Sequence, residues 1–233
     1  MKESIMPQER IYPNSIIPEE YKQELQELFN EAIPRIVNRI RDEKVTHIIL
    51  TEKTARLFKV GFQRVLKQEG LDVKVGSFAF DYLSIQYPPS WEDKKTKIGK
   101  QQYKKLDFIK EDVLQNKVIM IIDEYKRRDT TLSNAEFNLE FLFYNDKIIT
   151  DCIQQRNNTE NIFSTYHIVV KAIYEKKRQI FQEDDKKLDI YHTILKNKKA
   201  VKIYRDTSEQ ISDMMLQALG YDIKFKKRYQ FKK

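Results

Sequence analysis

Two adjacent carboxylates, Asp123 and Glu124, directly follow an unbroken apolar run at residues 118–122. An apolar run of this length predicts a strand that is buried on both faces, as in a parallel sheet covered by helices. In open α/β sheets, ligands bind just beyond the carboxyl ends of such strands. The acidic pair therefore lies where a binding site is expected, and the cations and hydroxyls that come next suit a phosphate group. These are Arg127, Arg128, Thr130 and Thr131.

The same residues also have interpretations that involve no ligand. The acidic pair could be solvated charge at a strand end, and the two arginines could belong to a surface loop. Asp129 or Thr130 could serve only as the N-cap of the helix that follows. Lys53 and Arg56 could lie on an exposed helix face. His47 lies inside a predicted strand and is expected to be packed rather than catalytic.

The pattern of apolar residues predicts the elements that position this segment. Strands and helices alternate up to about residue 145, which predicts an α/β fold with a parallel sheet and right-handed crossover connections. In chain order we expect an extended arm at 1–17, a helix at 18–42, a strand at 45–50, a helix at 56–69, a strand at 71–80, a short helix at 106–115, the strand at 118–122 and a helix at 131–144. The polar segment between the second strand and the short helix is long for a loop, and such loops are usually functional or disordered.

Beyond residue 145 the pattern becomes mostly helical. We expect helices at 146–155, 160–182, 186–197 and 207–219, and strands at 200–204 and 221–231. The chain is therefore divided into an α/β core with an N-terminal arm and helix, residues 1–145, and a mostly helical extension that ends in a basic strand, residues 146–233. The extension could also complete the same domain as the core.

Composition limits the classes of protein to be considered. A hydrophobic fraction of 40% and a charged fraction of 33% are typical of a folded, soluble protein. The single cysteine excludes an internal disulfide, the three scattered histidines argue against a zinc site, and no uncharged apolar run is long enough to span a membrane. The N-terminal residues lack the apolar core of a signal peptide, so we expect a cytoplasmic protein.

The net charge of +8 favours polyanionic partners. The chain also has 35 acidic residues, so the excess of cations could equally reflect a general preference for lysine. Residues 224–233 interleave six cations with aromatic residues, a combination that can bind nucleic acid. An edge strand with one solvated face would produce the same alternation.

Two common phosphate-binding motifs are absent. A strand ending in Asp-Glu also occurs in P-loop ATPases, but these need an upstream G-x-x-x-x-G-K-[ST] loop. The single Gly-Lys pair, Gly99-Lys100, is followed by Gln101 and has Lys94 where the first glycine should be. The G-x-G-x-x-G motif of dinucleotide-binding folds is missing as well.

The segment instead resembles the signature of the type I phosphoribosyltransferases. That signature has four apolar residues, two acidic residues, a short loop that usually reads T-G-x-T, and a helix. Residues 119–122 match the strand, Asp123 and Glu124 match the acidic pair, and Leu132 opens the helix. Asp129, Thr130 and Thr131 occupy the last loop positions. The resemblance covers about residues 40–145 and implies a Rossmann-like parallel sheet of this family's kind, here with a helical C-terminal extension.

The resemblance implies a Mg²⁺-dependent phosphoribosyltransferase that acts on phosphoribosyl pyrophosphate and a nitrogenous base or nucleotide. Asp123 and Glu124 would bind the ribose hydroxyls and hydrated Mg²⁺ and, with Asp129, form the catalytic group. In this family the loop after the first core strand contacts pyrophosphate, and a long mobile loop, here about residues 82–105, closes over the reaction centre. The implied phosphate and pyrophosphate ligands are Lys53, Thr54, Arg127, Arg128, Thr130 and Thr131. We also expect a homo-oligomer.

Two departures from the family's pattern favour an alternative function. Asp129 replaces the usual glycine, which places a carboxylate close to an expected phosphate. Arg127 and Arg128 stand where the family often has an acidic residue and a threonine, and the acidic residue is often proposed as a general base. The alternative is a catalytically inactive module that binds phosphoribosyl pyrophosphate or a nucleoside monophosphate and engages protein or nucleic acid. The base is not determined by the sequence.

Overall fold

Four short apolar segments form a parallel sheet in the computed structural model of this chain. The strands are β1 (His47–Thr51), β2 (Lys74–Phe78), β3 (Val118–Lys126) and β4 (Lys147–Gln155), in the order β2-β1-β3-β4 across the sheet. The structure describes residues 11–15, 17, 19, 22–51, 55–78, 106–110, 116–126, 130–143, 145–155 and 198–223. The predicted α/β class and the parallel sheet are confirmed.

Helices cover both faces of this sheet. One face is covered by α1 (Lys22–Asp42), α2 (Lys59–Gln68) and α5 (Lys198–Gln217), and the other by α3 (Asp107–Lys110) and α4 (Thr130–Leu142). The connection from β1 to β2 contains α2, and the connection from β3 to β4 contains α4. These two connections run in opposite directions across the sheet, so right-handed crossovers place their helices on opposite faces. None of the helices described has the length and apolar character needed to cross a membrane.

The two central strands are buried on both faces. Every residue of β1 is buried, as are residues 119–122 of β3. Successive side chains of a strand point to opposite faces, so Ile48 and Leu50 pack beneath α1, α2 and α5, whereas Ile49 packs beneath α3 and α4. This burial explains why both strands read as continuous apolar runs rather than as alternating patterns.

The predicted helix at residues 146–155 is wrong, because these residues form β4 and pair in parallel with β3. Their apolar residues come in two adjacent pairs four positions apart, which imitates helical spacing. In a strand the same pairs supply one apolar side chain to each face. Ile148 and Cys152 pack beneath α4, and Ile149 and Ile153 pack in the core on the opposite face.

The predicted strand at residues 200–204 is also wrong. These residues belong to α5, which extends the predicted helix at 207–219 toward the N-terminus. Gly220 follows this helix with a φ of +77°, a left-handed conformation that glycine adopts without strain, as expected for a helix C-cap. The predicted helices at 160–182 and 186–197, and most of the predicted strand at 221–231, lie outside the described residues.

The part of the N-terminal arm that is described contains a turn attached to α5. Tyr12 donates a hydrogen bond to Asp213, and Asn14 Nδ2 donates to Asp206 Oδ2 at 2.8 Å. Burial by itself raises the pKa of Asp206, but hydrogen bonds from Asn14 and Arg205 outweigh it and lower the pKa below its ordinary value. Residues 12–15 are therefore anchored rather than simply extended.

An ionic network fixes α1 to β4. Asp151 faces α1 with a fully buried side chain, and Arg35 and Arg39, one helical turn apart, both pair with its carboxylate. Arg39 Nη1 lies 2.9 Å from Asp151 Oδ2. The same two guanidinium groups donate to the carbonyls of Cys152 and Thr150, at 2.6 and 2.8 Å. A carboxylate removed from water needs compensation of this kind to remain charged.

Replacing Asp151 with alanine is expected to lower the free energy of unfolding by about 3 kcal/mol, the lower end of the range for breaking a buried ion pair. The lower end applies because about a third of each arginine side chain stays exposed and can regain water. Chemical denaturation measures the loss. The control is Glu43→Ala, which removes an exposed ion pair with Lys147, a residue of β4 like Asp151. This variant should change the free energy of unfolding by no more than the experimental error. Equal losses in the two variants would contradict the role assigned to Asp151.

Candidate functional site

The strand order reverses between β1 and β3. The chain passes from β1 to β2 on one side of this point and from β3 to β4 on the other. Open α/β sheets bind their ligands in the crevice outside the carboxyl ends of two strands that are related in this way. The residues at that position are Thr51, the last residue of β1, and Asp123 on β3.

Asp123 is the first residue of β3 beyond its pairing with β1. β1 pairs with β3 only as far as Leu50 and Ile122, whereas β3 continues alongside β4 to Lys126. The strand is therefore longer than predicted, since it ends at Lys126 and not at Ile122. The predicted boundary holds only on the β1 side, where β3 extends beyond its neighbour.

The side chains of Thr51 and Asp123 meet across this boundary. Thr51 Oγ1 donates a hydrogen bond to Asp123 Oδ1 at 2.5 Å, and both residues are buried. The distance is at the short end for a hydroxyl bonded to an oxygen acceptor. The hydroxyl fixes one carboxylate oxygen in position. A carboxylate held in this way is suited to accept hydrogen bonds from ligand hydroxyls or to bind a cation.

The remaining predicted site residues divide into two groups. Glu124 lies within β3, and Thr130 and Thr131 are the first two residues of α4. The first peptide N–H groups of a helix lack partners inside the helix and favour anions such as phosphate. The other predicted ligands lie outside the described residues and are Lys53, Thr54, Arg127, Arg128 and Asp129.

The structure confirms that His47 is packed. It begins β1 at the end of the strand opposite Thr51 and has no exposed surface. Its Nδ1 lies 2.9 Å from Thr46 Oγ1, and its ring centroid lies 5.8 Å from that of Phe108. The histidine therefore helps to close the amino end of the sheet and lies far from the crevice.

Sequence reasoning missed the strand that supports Asp123 from the other side. Asp123 lies in register with Cys152 of β4, next to Asp151 and its two arginines. The ionic network thus holds the stretch of β4 against which Asp123 is placed. The helical interpretation of residues 146–155 concealed this relation. The partnership between Thr51 and Asp123 could have been found by aligning the carboxyl ends of the two apolar runs.

The single carboxylate positioned at Asp123 is chemically compatible with Mg²⁺, which prefers oxygen ligands. Within the described part of the chain, no group of three or more His, Cys, Asp or Glu side chains is arranged to hold a metal ion. Protein-bound Mg²⁺ commonly keeps several waters and takes only one or two carboxylates together with substrate phosphates. Asp123 is a carboxylate of the required kind, positioned by a hydrogen bond to its Oδ1.

No protein-family model, curated protein or solved structure matches this chain. The geometry itself shows an open α/β sheet with a buried carboxylate at the point where the strand order reverses. The same strand leads through a short connection into the N-terminus of α4.

Replacing Thr51 with valine removes the hydroxyl and keeps the shape of the side chain. The free energy of unfolding should fall by about 1.5–3 kcal/mol, because a buried carboxylate loses a hydrogen-bond donor. Thr51→Ser keeps the donor and should cost only about 0.8 kcal/mol, the value of one buried methylene-sized group. Urea denaturation of the two variants against the wild-type protein measures the difference. If valine proved no more costly than serine, the hydrogen bond would contribute nothing to the site.

Proposed function

We propose that this chain is a divergent, Mg²⁺-dependent phosphoribosyltransferase of the type I kind. It binds phosphoribosyl pyrophosphate at the carboxyl edge between β1 and β3 and transfers the phosphoribosyl group to a nitrogenous base, or catalyses the reverse cleavage of a nucleotide. The observation that carries the proposal is the buried Asp123 carboxylate, held by Thr51 at the reversal of strand order.

The order of groups along one segment supports a sugar-phosphate ligand. β3 supplies carboxylates that accept hydrogen bonds from ribose hydroxyls, and the helix α4 that follows begins with two threonines. Its N-terminal peptide groups and threonine hydroxyls suit the 5′-phosphate at the other end of the same sugar. Arg127 and Arg128, between the two elements in sequence, add donors that bind phosphate through charged hydrogen bonds.

The chemistry proposed for this site is mainly electrostatic. A bound Mg²⁺ would neutralise charge on the pyrophosphate leaving group, and Asp123 and Glu124 are the residues that would hold it. Asp123 orients the ribose because its Oδ1 is fixed by Thr51. Lys53 and Thr54 follow β1 in sequence and would bind pyrophosphate. Transfer of this kind needs little proton chemistry from the protein, so positioning and charge account for most of the rate.

An inactive nucleotide-binding module is the second candidate, and it is favoured by residues 127–129. Asp129 stands where this family usually has a glycine that lets backbone amides approach phosphate. Arg127 and Arg128 replace an acidic residue and a threonine. A module of this type would keep the crevice and its ligand, phosphoribosyl pyrophosphate or a nucleoside monophosphate, and would act through a protein or nucleic-acid partner.

Ligand binding tests the site shared by both candidates. Isothermal calorimetry with phosphoribosyl pyrophosphate and with a nucleoside 5′-monophosphate, each with and without Mg²⁺, should show binding to the wild-type protein. Asp123→Asn should weaken it by roughly 10- to 100-fold, the equivalent of one charged hydrogen bond at about 1.5–3 kcal/mol. Asp222→Asn makes the same change at an exposed position and should bind normally. Absence of binding to the wild-type protein at millimolar ligand would refute both candidates.

The variant Asp129→Gly distinguishes the two candidate functions, the enzyme and the inactive module. Pyrophosphate release is measured with a panel of purine, pyrimidine and pyridine bases, for the wild-type protein and for Asp129→Gly. The enzyme predicts turnover in the wild type and a loss of turnover in the variant, because Asp129 then orients metal or base. The module predicts no turnover in either protein and tighter phosphate binding in the variant, because a repelling carboxylate is removed.

A further inference from the structure

The outer edge of β2 borders a groove that is separate from the crevice between β1 and β3. In the described part of the chain, β2 pairs with β1 on one side and with no strand on the other. The groove along this edge has a volume of about 900 Å³ and is called the edge groove below. Its main lining residues are Lys59, Gln63, Leu66 and Lys67 on α2, Val75 and Ser77 on β2, and Phe108 on α3.

The backbone of β2 offers hydrogen-bonding groups to this groove. The Lys74 N–H donates to the carbonyl of Thr46 on the β1 side, at 3.0 Å. Alternate residues of a paired strand direct their peptide groups to opposite sides, so Val75 and Ser77 direct theirs to the outer edge. An edge that no strand of the described part covers is a template for another extended chain.

The walls of the groove fit the two faces of one additional strand. α2 lies on one face of the sheet, and the Phe108 ring lies on the other, directly over Gly76. A Cβ on Gly76 would come within 2.3 Å of that ring, so the missing side chain is what allows Phe108 to cover the strand edge. A strand added beside β2 would place alternate side chains against α2 and against Phe108.

The charged residues of the edge groove indicate which kind of chain can bind there. The groove is lined by three lysines, Lys59, Lys67 and Lys74, and by one acidic residue, Asp72. Lys59 and Lys67 project from α2, and Lys67 is exposed. A second copy of this chain would bring an identical set of lysines to the same edge, and like charges placed together oppose association. We propose that the edge groove binds an extended acidic segment of a partner protein, which adds to β2 as a strand.

The recognition combines two kinds of contact. Main-chain hydrogen bonds to Val75 and Ser77 hold the segment in an extended form, as in other cases of strand addition. Acidic side chains on one face meet the exposed Lys67 of α2, and apolar side chains on the other face pack on Phe108. The preferred ligand therefore alternates acidic and apolar residues.

The test uses a short fluorescein-labelled peptide of alternating glutamate and valine residues, followed by fluorescence polarisation. The probe should bind the full chain, and added salt should weaken the binding. Two control probes should bind weakly or not at all. One replaces glutamate with lysine, and the other carries N-methyl groups on alternate residues and so cannot complete the main-chain hydrogen bonds.

Two lysine variants test whether the probe binds in the edge groove. Lys67→Glu should lower the affinity for the glutamate probe by about five- to tenfold, because one exposed ion pair is lost and a repulsion of similar size is gained. Lys202→Glu makes the same change at an exposed position on α5, outside the groove, and should bind within about twofold of the wild type, as expected for a distant screened charge.

Three outcomes would overturn the proposal. These are equal affinity for the lysine probe or the N-methylated probe, no binding of the glutamate probe at millimolar concentration, and an equal effect of the two lysine variants. A dimer detected by sedimentation that excludes the probe would assign the groove to a second copy instead.

Discussion

The fold depends on two central strands that are buried on both faces. Because β1 and residues 119–122 of β3 have no solvent-facing side, helices must cover the sheet above and below. Parallel pairing requires each connection to cross the sheet, and the right-handed crossing then determines which face each helix occupies. The reversal between β1 and β3, and with it the position of the crevice, follows from the two connections running in opposite directions.

Among the described residues, three carboxylates are buried, those of Asp123, Asp151 and Asp213, and the two that lie on the sheet, Asp123 and Asp151, have different partners. Asp151 pairs with two guanidinium groups from α1, so its charge is balanced and its contribution is to stability. Asp123 receives a hydroxyl hydrogen bond from Thr51, which orients the carboxylate. The first arrangement joins a helix to a strand, whereas the second joins the carboxyl ends of two neighbouring strands.

The spacing of apolar residues along the chain predicts those helices and strands in which it fits only one periodicity, helical or extended. The apolar run before Asp123, the helical spacing of α1 and the glycine after α5 were sufficient to predict strand, helix and helix end. The pattern failed at β4, where both faces are apolar and the paired isoleucines fit either period. The periodicity of each segment did not by itself show that Thr51 and Asp123 meet, because that contact also requires two strands 72 positions apart to be paired and aligned at their carboxyl ends. The ionic network of Asp151 was hidden for the same reason, since its arginines lie more than 100 positions away.

The packing of α5 on α2 has a consequence for the order in which the protein can fold. Gly61 lets the two helices approach closely, since a Cβ there would lie 2.2 Å from Met215 Sδ, and Arg64 bonds to Asp213 across 149 positions of sequence. During synthesis, the ribosome releases α1 and α2 long before α5. The apolar faces of α1 and α2 stay exposed until α5 has been synthesised and covers them. Exposed apolar surface of this kind favours aggregation and chaperone binding. The interval between the two halves of this core is therefore the stage at which the nascent chain is most vulnerable.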